Sequence, residues 1–521
     1  MGAQDMRVAS VRDVVEALAK NGLLAPAEQA RCAASAAALD VPLAGCSFDS
    51  RAVHPGELFF CKGARFKPDY LVRALKAGAA CYLADATLAP ALATVAGADA
   101  VPSIFVTSIR CAMAVVSPIV YGRPDRELAL VGITGTKGKT TTSYMLRSIL
   151  EDAGRTPGIM GSIMCDDGIE QEEVVNTTPE APELWHHLAN CRRAGRRAMI
   201  MEVSSQALKY ERVSGVAFDI ACFLNIGRDH ISAVEHPSFE DYFSSKLRIF
   251  EQCKTAVVNL GCAHADRVIA AAGRAERLVT VGIDRADANV SARDVTAREG
   301  VVTFTLVLSP SISASGVHEE HAFELDMPGV FNVENALAAI ACARLMGVGI
   351  DHIAGGLRRV RVPGRMEVLR SANENVVAIV DYAHNELSYR ALFGTVRREY
   401  PGRKVIAVFG APGGKAEDRR RELPRAAAPF CDLMIFTEED PAHERVEDIC
   451  AEMAANVPAG ATYRIIPHRE EAVRAAFAAA EGSRALVLLL AKGEETRQHR
   501  GDAYVPVKSD LELARDLIRE R

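Results

Sequence analysis

The sequence predicts an α/β protein in three regions, with a phosphate-binding loop opening the middle one and an open, largely parallel sheet forming the last. Two observations predict it. A glycine-rich turn, ITGTKGKTTT (Ile133 to Thr142), stands directly behind the apolar run Leu128 to Ile133 and ahead of a helical pattern, which is the layout of a phosphate loop. Beyond Val360, apolar runs alternate with helical stretches, and each run ends in a polar, acidic or glycine-containing segment, as at the ligand-binding edge of an open α/β sheet. At 521 residues the chain exceeds one ordinary core, and the pattern places the regions at 1–122, 123–359 and 360–521.

The first region reads as short helices and strands rich in alanine, with apolar runs at Leu58 to Phe60 and Ala79 to Leu83 and a strand-like segment at Ser103 to Thr107. The polar, Gly/Pro-bearing Tyr121 to Glu127 reads as a linker. In the phosphate loop, Gly135 and Gly138 let the backbone curl around an anion, Lys139 supplies a positive charge, and Thr140 offers a hydroxyl to Mg²⁺. ATP is the expected ligand of Gly135, Thr136, Lys137, Gly138, Lys139, Thr140 and Thr141. Ile133 occupies the place where the commonest phosphate loops carry their first glycine, which points to a subclass. A helix is predicted from about Gly138 to Asp152, with Tyr144, Met145, Ile149 and Leu150 inward and Gly154 ending it.

Strand-like runs follow at Ala198 to Val203, Phe218 to Leu224 and Thr255 to Leu260, then at Val376 to Val380, Lys404 to Phe409, Leu433 to Phe436 and Ala485 to Leu490. The last four end in DYAH, GAPGGK, TEEDP and AKGEE. Together these four ends are expected to form one rim of a cleft.

Composition narrows the function. With 49% hydrophobic and 25% charged residues, packed cores are affordable and long disorder is not expected. A net charge of −6 without a basic run argues against nucleic acid as a partner. Thirteen cysteines without C-x-x-C spacing suggest neither zinc nor disulfides. The start lacks the apolar core of a signal peptide and no stretch reaches membrane-spanning length, so a cytoplasmic protein without membrane insertion is expected.

Glu202 ends the run AMIME beside the phosphate-loop strand, where a carboxylate reaches Mg²⁺ on nucleotide phosphates. The next run ends in Asn225-Ile226-Gly227-Arg228-Asp229-His230. His230 is a candidate metal ligand there, and Asn225 or Asp229 a candidate for holding water or an outer position.

In order along the chain, ITGTKGKTTT, MEVSSQALKYERV, FLNIGRDHI, EHPSFEDYFSSKLRIF, GVFNVENALAA, RVPGRMEV and DYAHN resemble the Mur ligases of peptidoglycan synthesis, and most closely the MurE type, which adds the third residue of the stem peptide. The resemblance spans nearly the whole chain. It implies the three-domain Mur ligase architecture, with a central P-loop ATPase domain and a C-terminal Rossmann-like domain. It also implies an ATP-dependent amide ligase acting on UDP-MurNAc-L-Ala-D-Glu and a free amino acid, as a monomer.

DSRAVHPGELFFCKG and NTTPE resemble the segments that hold the UDP-MurNAc-dipeptide, which implies roles for Ser50, Asn176, Thr177, Thr178, Ser204 and Arg212. Lys246 matches a lysine that CO₂ carbamylates in the family. As a carbamate it would join Thr140, Glu202 and His230 around Mg²⁺, with Lys139, Lys246 and His230 as the catalytic set. By the same resemblance Asn332 and Asn335 face adenine, and Arg365 and Asp381 reach the ribose or phosphates. ATP phosphorylates the D-glutamyl γ-carboxylate, and the amino acid's amine then attacks the acyl phosphate.

Diaminopimelate-adding members carry Asp-Asn-Pro-Arg, whose arginine pairs with the substrate's distal carboxylate. The matching residues here are Glu439, Asp440, Pro441 and Ala442, and alanine cannot form that pair. Glu439, Asp440 and Glu495, with Gly493, are expected to make an acidic rim for a side-chain ammonium. L-Lysine is therefore the expected acceptor, ahead of ornithine and meso-diaminopimelate. A folylpolyglutamate or cyanophycin synthetase explains DSRAVHPG and NTTPE less well. A non-catalytic nucleotide-binding protein of this fold would not need Lys139, Glu202, His230 and Lys246 intact.

Overall fold

A computed structural model of the chain describes residues 8–26, 37–63, 65–173, 176–232 and 235–520. The chain is α/β and divides into two compact units, 1–281 with 341–348, and 282–340 with 349–521.

The first unit holds two sheets. The smaller is parallel, in the order β1 (Gly45–Ser47), β2 (Glu57–Cys61), β3 (Cys81–Asp85), β4 (Ser103–Val106). Alternate residues of β2 serve different cores. Leu58 and Phe60 join the large cluster that also contains Trp185 and Phe218, whereas Phe59 and Cys61 pack with Leu71 and Tyr82. Burial on both faces explains why this strand reads as an unbroken apolar run.

The second sheet contains β5 (Ala129–Thr134), β6 (Gly158–Met160), β7 (Cys165–Asp166), β8 (Gln171–Glu172), β9 (Ala198–Glu202), β10 (Phe218–Phe223), β11 (Cys253–Asn259) and β12 (Arg277–Ile283). Its order is β12-β11-β10-β5-β9-β6-β7-β8. Pairing is parallel from β12 to β6, and β6-β7-β8 is an antiparallel edge. Register brings three motifs side by side: Ile133 pairs with Glu202, and Thr134 with Phe223. The turn after β5 therefore opens beside Glu202 and beside the segment that follows β10. Gly132 permits this close pairing, since a Cβ there would lie 2.8 Å from the Phe218 ring.

The helix after the loop runs Lys139–Asp152, one residue short of the expected start, and Gly154 follows it at φ +70°. The helix that carries Lys246 covers Phe239–Leu247, and the chain continues as a 3₁₀ turn to Gln252. The expected linker Tyr121 to Glu127 differs from its polar reading, because Pro124 and Asp125 are buried and Arg123 pairs with Asp125 at 2.6 Å.

In the second unit, β13 (Val290–Arg298), β14 (Val301–Leu308) and β15 (Glu319–Leu325) are antiparallel. A second sheet has the order β16 (Glu367–Arg370), β17 (Val376–Asp381), β21 (Ala485–Leu490), β18 (Lys404–Phe409), β19 (Leu433–Phe436), β20 (Tyr463–Ile465), parallel apart from β16. A hairpin of β22 (Arg497–Arg500) and β23 (Ala503–Pro506) forms a separate two-stranded sheet, bridged to the segment after β19 through Ala442 and Arg500. All six residues of the central β21 are buried. The described cysteines are free thiols, and among the described residues no helix is long and apolar enough to cross a membrane.

Candidate active site

The turn after β5 is prebuilt. Gly138 adopts the left-handed region at φ +86° as the cap of the helix Lys139–Asp152, a conformation that costs glycine little and other residues much. Asn225 clamps the turn from the end of β10. Its Oδ1 accepts the Lys137 N–H at 2.9 Å, and its Nδ2 donates to the Lys137 carbonyl at 3.0 Å. Thr136 is held through its hydroxyl by the Gly227 N–H and the Tyr242 hydroxyl, each at 3.0 Å. Thr140 and Thr141 lie buried in the first helical turn. Such an N-terminus, with its orphan N–H groups, is an anion site.

Two ammonium groups converge on one acceptor. Lys139 Nζ and Lys246 Nζ both donate to the Gly135 carbonyl, each at 3.0 Å. Lys246 is only 2% exposed and sits 4.9 Å from the Tyr242 ring. Burial, reinforced by the charge of Lys139, holds its pKa well below the ordinary lysine value. His230 comes within electrostatic reach of both lysines. It takes a left-handed φ of +56°, and its Nδ1 lies 3.3 Å from Glu235 Oε2. Asp229, expected in an outer position, pairs with Lys137 at 3.2 Å.

Glu202 is 1% exposed at the end of β9. One oxygen accepts from Thr140 Oγ at 3.0 Å and from Ser162 Oγ at 3.1 Å, and the other accepts the Ser162 N–H at 2.9 Å. Ser162 and Gly161 escaped the sequence reading. A Cβ on Gly161 would stand 2.2 Å from Glu202 Oε1, so this glycine makes the carboxylate's room. Gly161→Ala is expected to displace Glu202 and lower turnover by on the order of a hundred-fold, the scale of a misplacement of about 1 Å. Turnover within a few-fold of the parent, measured as phosphate release, would show that Glu202 need not stand where it does.

Four of the six expected UDP-substrate residues, Thr177, Thr178, Ser204 and Arg212, also gather. Thr178 Oγ donates to the Glu202 carbonyl at 2.8 Å and accepts the Ser204 N–H at 3.0 Å. Arg212 donates to the Thr178 carbonyl at 3.1 Å. Thr177 Oγ accepts from Ser162 at 3.1 Å, Asn176 is exposed, and Ser50 lies in a turn beside the Asp49–Arg51 pair. The organising residue is Glu180, whose two oxygens take Lys62 at 2.7 Å and Arg212 at 3.0 Å. Lys62 stands in the quoted FFCKG segment, but only the fold reveals its partner.

In the second unit, Asn332 and Asn335 are buried. The amide of Asn335 donates to Asn332 Oδ1 at 2.9 Å, and that of Asn332 to the Pro328 carbonyl at 2.7 Å. Arg365 stacks 4.2 Å over Tyr382. Asp381 accepts the Met366 and Ala383 N–H groups, each at 2.8 Å.

The four strand ends do form one rim. The Ala491 N–H donates to the Asp381 carbonyl at 3.1 Å, and a Cβ on Gly493 would lie 3.1 Å from the Gly364 carbonyl. A Cβ on Gly413 would overlap the Pro441 carbonyl at 1.9 Å. Three non-glycine residues there, Asp440, Ala442 and Ala491, hold positive φ, backbone strain of the kind that collects at functional sites.

The acidic rim differs from the expectation in its charge. Lys492, 2% exposed, pairs with Asp440 at 2.9 Å and with Glu495 at 2.5 Å. Two of the three carboxylates thus already hold an ammonium of the chain itself. Glu438 pairs with Arg500 at 2.7 Å. Glu439 is 8% exposed with Arg419 no nearer than 3.9 Å, and burial pushes its pKa up to about 7.

A carboxyl whose folded pKa exceeds its unfolded value of 4.5 stabilises the fold only while protonated. That contribution is whole below pH 4.5 and is lost as pH climbs toward 7. Glu439→Gln is accordingly expected to match the parent in unfolding midpoint near pH 4.5 and to gain on it up to about pH 7, with a plateau above. Parallel stability curves over that range would show that Glu439 does not titrate there.

With this geometry in place, the comparisons are specific. The family model described as Mur ligase middle domain matches residues 133–343, and that described as Mur ligase, glutamate ligase domain matches residues 364–493. A UDP-N-acetylmuramyl-tripeptide synthetase of Bifidobacterium longum (strain NCC 2705) is 36% identical over 490 residues, covering 91% of this chain and 92% of its own. A UDP-N-acetylmuramoyl-L-alanyl-D-glutamate–L-lysine ligase of Streptococcus pyogenes serotype M28 is 35% identical over 479 residues, covering 91% and 92%. Among solved structures, a UDP-N-acetylmuramoyl-L-alanyl-D-glutamate–2,6-diaminopimelate ligase aligns with a TM-score of 0.62 at 26% identity, covering 92% of this chain and 95% of that one.

Proposed function

This chain belongs to the Mur ligase family, and from that premise we propose that it joins L-lysine to the D-glutamyl γ-carboxylate of UDP-MurNAc-L-Ala-D-Glu, with ATP converted to ADP and phosphate, in the cytoplasm and as a monomer. The observation that carries the reading is the convergence of Lys139 and Lys246 on the Gly135 carbonyl, beside the Thr140–Glu202 pair. Relatives named for adding lysine, at 35% identity over nine-tenths of the chain, support the acceptor, as does Ala442 in place of arginine.

The residues fit the partners this reaction needs. Thr140 Oγ and the Glu202 carboxylate are hard oxygen donors 3.0 Å apart, in a cradle that Gly161 keeps open, and hard oxygens suit Mg²⁺. When bound, that ion neutralises phosphate charge. Lys246, with its depressed pKa, offers the neutral amine that adds CO₂. The N–C bond forms, one proton leaves, and the neutral amine becomes a carbamate anion able to face the metal beside Glu202 and His230.

The substrate carboxylate attacks the γ-phosphoryl group and ADP leaves. The lysine amine then attacks the acyl phosphate, loses a proton, and phosphate departs. Lys139 and the loop N–H groups stabilise the charge that gathers as two anions meet. We assign Ser50, Asn176, Thr177, Thr178, Ser204 and Arg212 to the UDP-linked substrate, supported by the two cations that Glu180 collects. Asn332, Asn335, Arg365 and Asp381 are assigned to the nucleotide. Glu439, Asp440, Gly493 and Glu495 are assigned to the amino acid, with Lys492 setting how much of their charge a substrate meets.

The test is phosphate release from ATP with UDP-MurNAc-L-Ala-D-Glu and a panel of amino acids. Release that needs both the UDP-substrate and L-lysine is expected. Release that ignores the amino acid, or none with any of them, would overturn the proposal.

A further inference from the structure

We propose that the hairpin β7-β8 and the helix Ala181–Arg193 together form a structural site for a zinc-class divalent ion, with Asp167, Glu170 and His187 as its protein donors. The three offer ligand atoms that all lie within 4.8 Å of one another. Asp167 Oδ2 stands 2.8 Å from His187 Nδ1, and Glu170 Oε2 stands 3.9 Å from that nitrogen. A tetrahedral ion with bonds of about 2.0 to 2.2 Å holds its donors roughly 3.3 to 3.6 Å apart. The observed separations straddle that spacing, so small side-chain shifts close the site.

The donors are also built to stay. The turn between β7 and β8 fixes Asp167, whose Oδ1 accepts the Ile169 N–H at 2.8 Å and the Glu170 N–H at 2.7 Å, leaving Oδ2 turned to the helix. Asn190 donates to that Oδ2 at 2.9 Å. Asp167 and His187 are almost wholly buried. Behind His187, Glu172 lies 3.2 Å from its Nε2, the outer carboxylate that orients a metal-bound imidazole and raises its basicity. His186 Nε2 lies 3.1 Å from both oxygens of Glu170 and 3.1 Å from the Asn190 amide, and so helps hold Glu170 against the helix.

Three carboxylates face two imidazoles here, an excess of negative charge that a divalent ion would offset. The imidazole nitrogen of His187 favours a zinc-class ion over magnesium or calcium. The site shares no residue with the one beside the phosphate loop, where Thr140, Glu202, His230 and the Lys246 carbamate are assigned to Mg²⁺. Its effect would be mechanical, tying the edge hairpin to the helix whose cap, Glu180, holds Lys62 and Arg212.

The experiment uses the full-length protein stripped with a chelator, kept in millimolar Mg²⁺, exposed to Zn²⁺ and gel-filtered, with retained zinc measured by elemental analysis. Wild type is expected to keep one equivalent. Glu170→Gln, on an exposed turn and outside the catalytic machinery, is expected to lose it while keeping ligase activity, which shows that the fold survives. Glu172→Gln should weaken binding by roughly 10- to 100-fold in competition with a chromophoric chelator, as loss of an outer partner does. A second readout is the unfolding midpoint, which Zn²⁺ should raise in wild type and leave unmoved in Glu170→Gln. Equal zinc retention by wild type and Glu170→Gln, or none by either, would overturn the proposal and leave the cluster a hydrogen-bonded network alone.

Discussion

Lys246→Ala is expected to lower turnover by on the order of a hundred- to a thousand-fold, the loss that follows when one preorganised charge is removed from a water-excluded site. The proposed mechanism calls for a charge reversal at this position. As an ammonium, Lys246 would add a second buried cation beside Lys139 on the same carbonyl, repelling metal instead of binding it. As a carbamate it supplies an anion. The two possibilities part under rescue: a small carboxylate such as formate, added to Lys246→Ala, should restore a measurable fraction of activity by standing where the carbamate would. Lys139→Ala should be comparably inactive and should gain nothing from formate, because what it lacks is a cation. Activity of Lys246→Ala within a few-fold of the parent, or a mass spectrum of the working enzyme with Lys246 unmodified, would remove the carbamate from the mechanism. Lys246→Met separates packing from charge, since it keeps the buried volume; it should remain folded and inactive.

How far the sequence could be read depended on how local each signal was. β18, β19 and β21 begin and end where predicted, because strands buried on both faces read as unbroken apolar runs between polar ends. β13, β14 and β15 were not predicted. In β14 the inward residues Val302, Phe304, Leu306 and Leu308 alternate with outward ones, so the available signal was a period of two, carried by Thr303 and Thr305 and diluted by the outward-facing Val301 and Val307. The phosphate loop was legible because its chemistry lies in one continuous segment and the parallel register places Glu202 next to it. Ion-pair partners were not legible. Lys492 reaches Asp440 across 52 residues, and nothing in AKGEE or TEEDP announces that the lysine of one will neutralise the carboxylate of the other. Gly161 was missed for a similar reason, since its role is the absence of a Cβ under Glu202.

Those partners bear on acceptor choice, where L-lysine is expected to exceed meso-diaminopimelate by at least tens-fold in kcat/KM. A diaminopimelate carboxylate placed near Ala442 would find no guanidinium, and leaving one such charge unpaired on burial costs roughly 2 to 5 kcal/mol. Two cations of that rim are already engaged: Arg500 by Glu438 at 2.7 Å, and Lys492 by Asp440 and Glu495. Ala442→Arg alone should therefore fail to invert the preference, because the new guanidinium would enter a rim with Glu438, Glu439 and Asp440 close by in sequence and would be drawn to them. Glu439→Gln should weaken lysine use more than ATP binding, and the loss should be larger at pH 8 than at pH 6, since the parent carboxyl ionises near pH 7 and only its anion attracts an ammonium. The measurement is a competition of L-lysine, L-ornithine and meso-diaminopimelate at equal concentration, with products separated by mass. Predominant diaminopimelate incorporation would mean that a cation other than one at position 442 reaches the distal carboxylate, and Lys492, released from Asp440 or Glu495, would be the residue to test next.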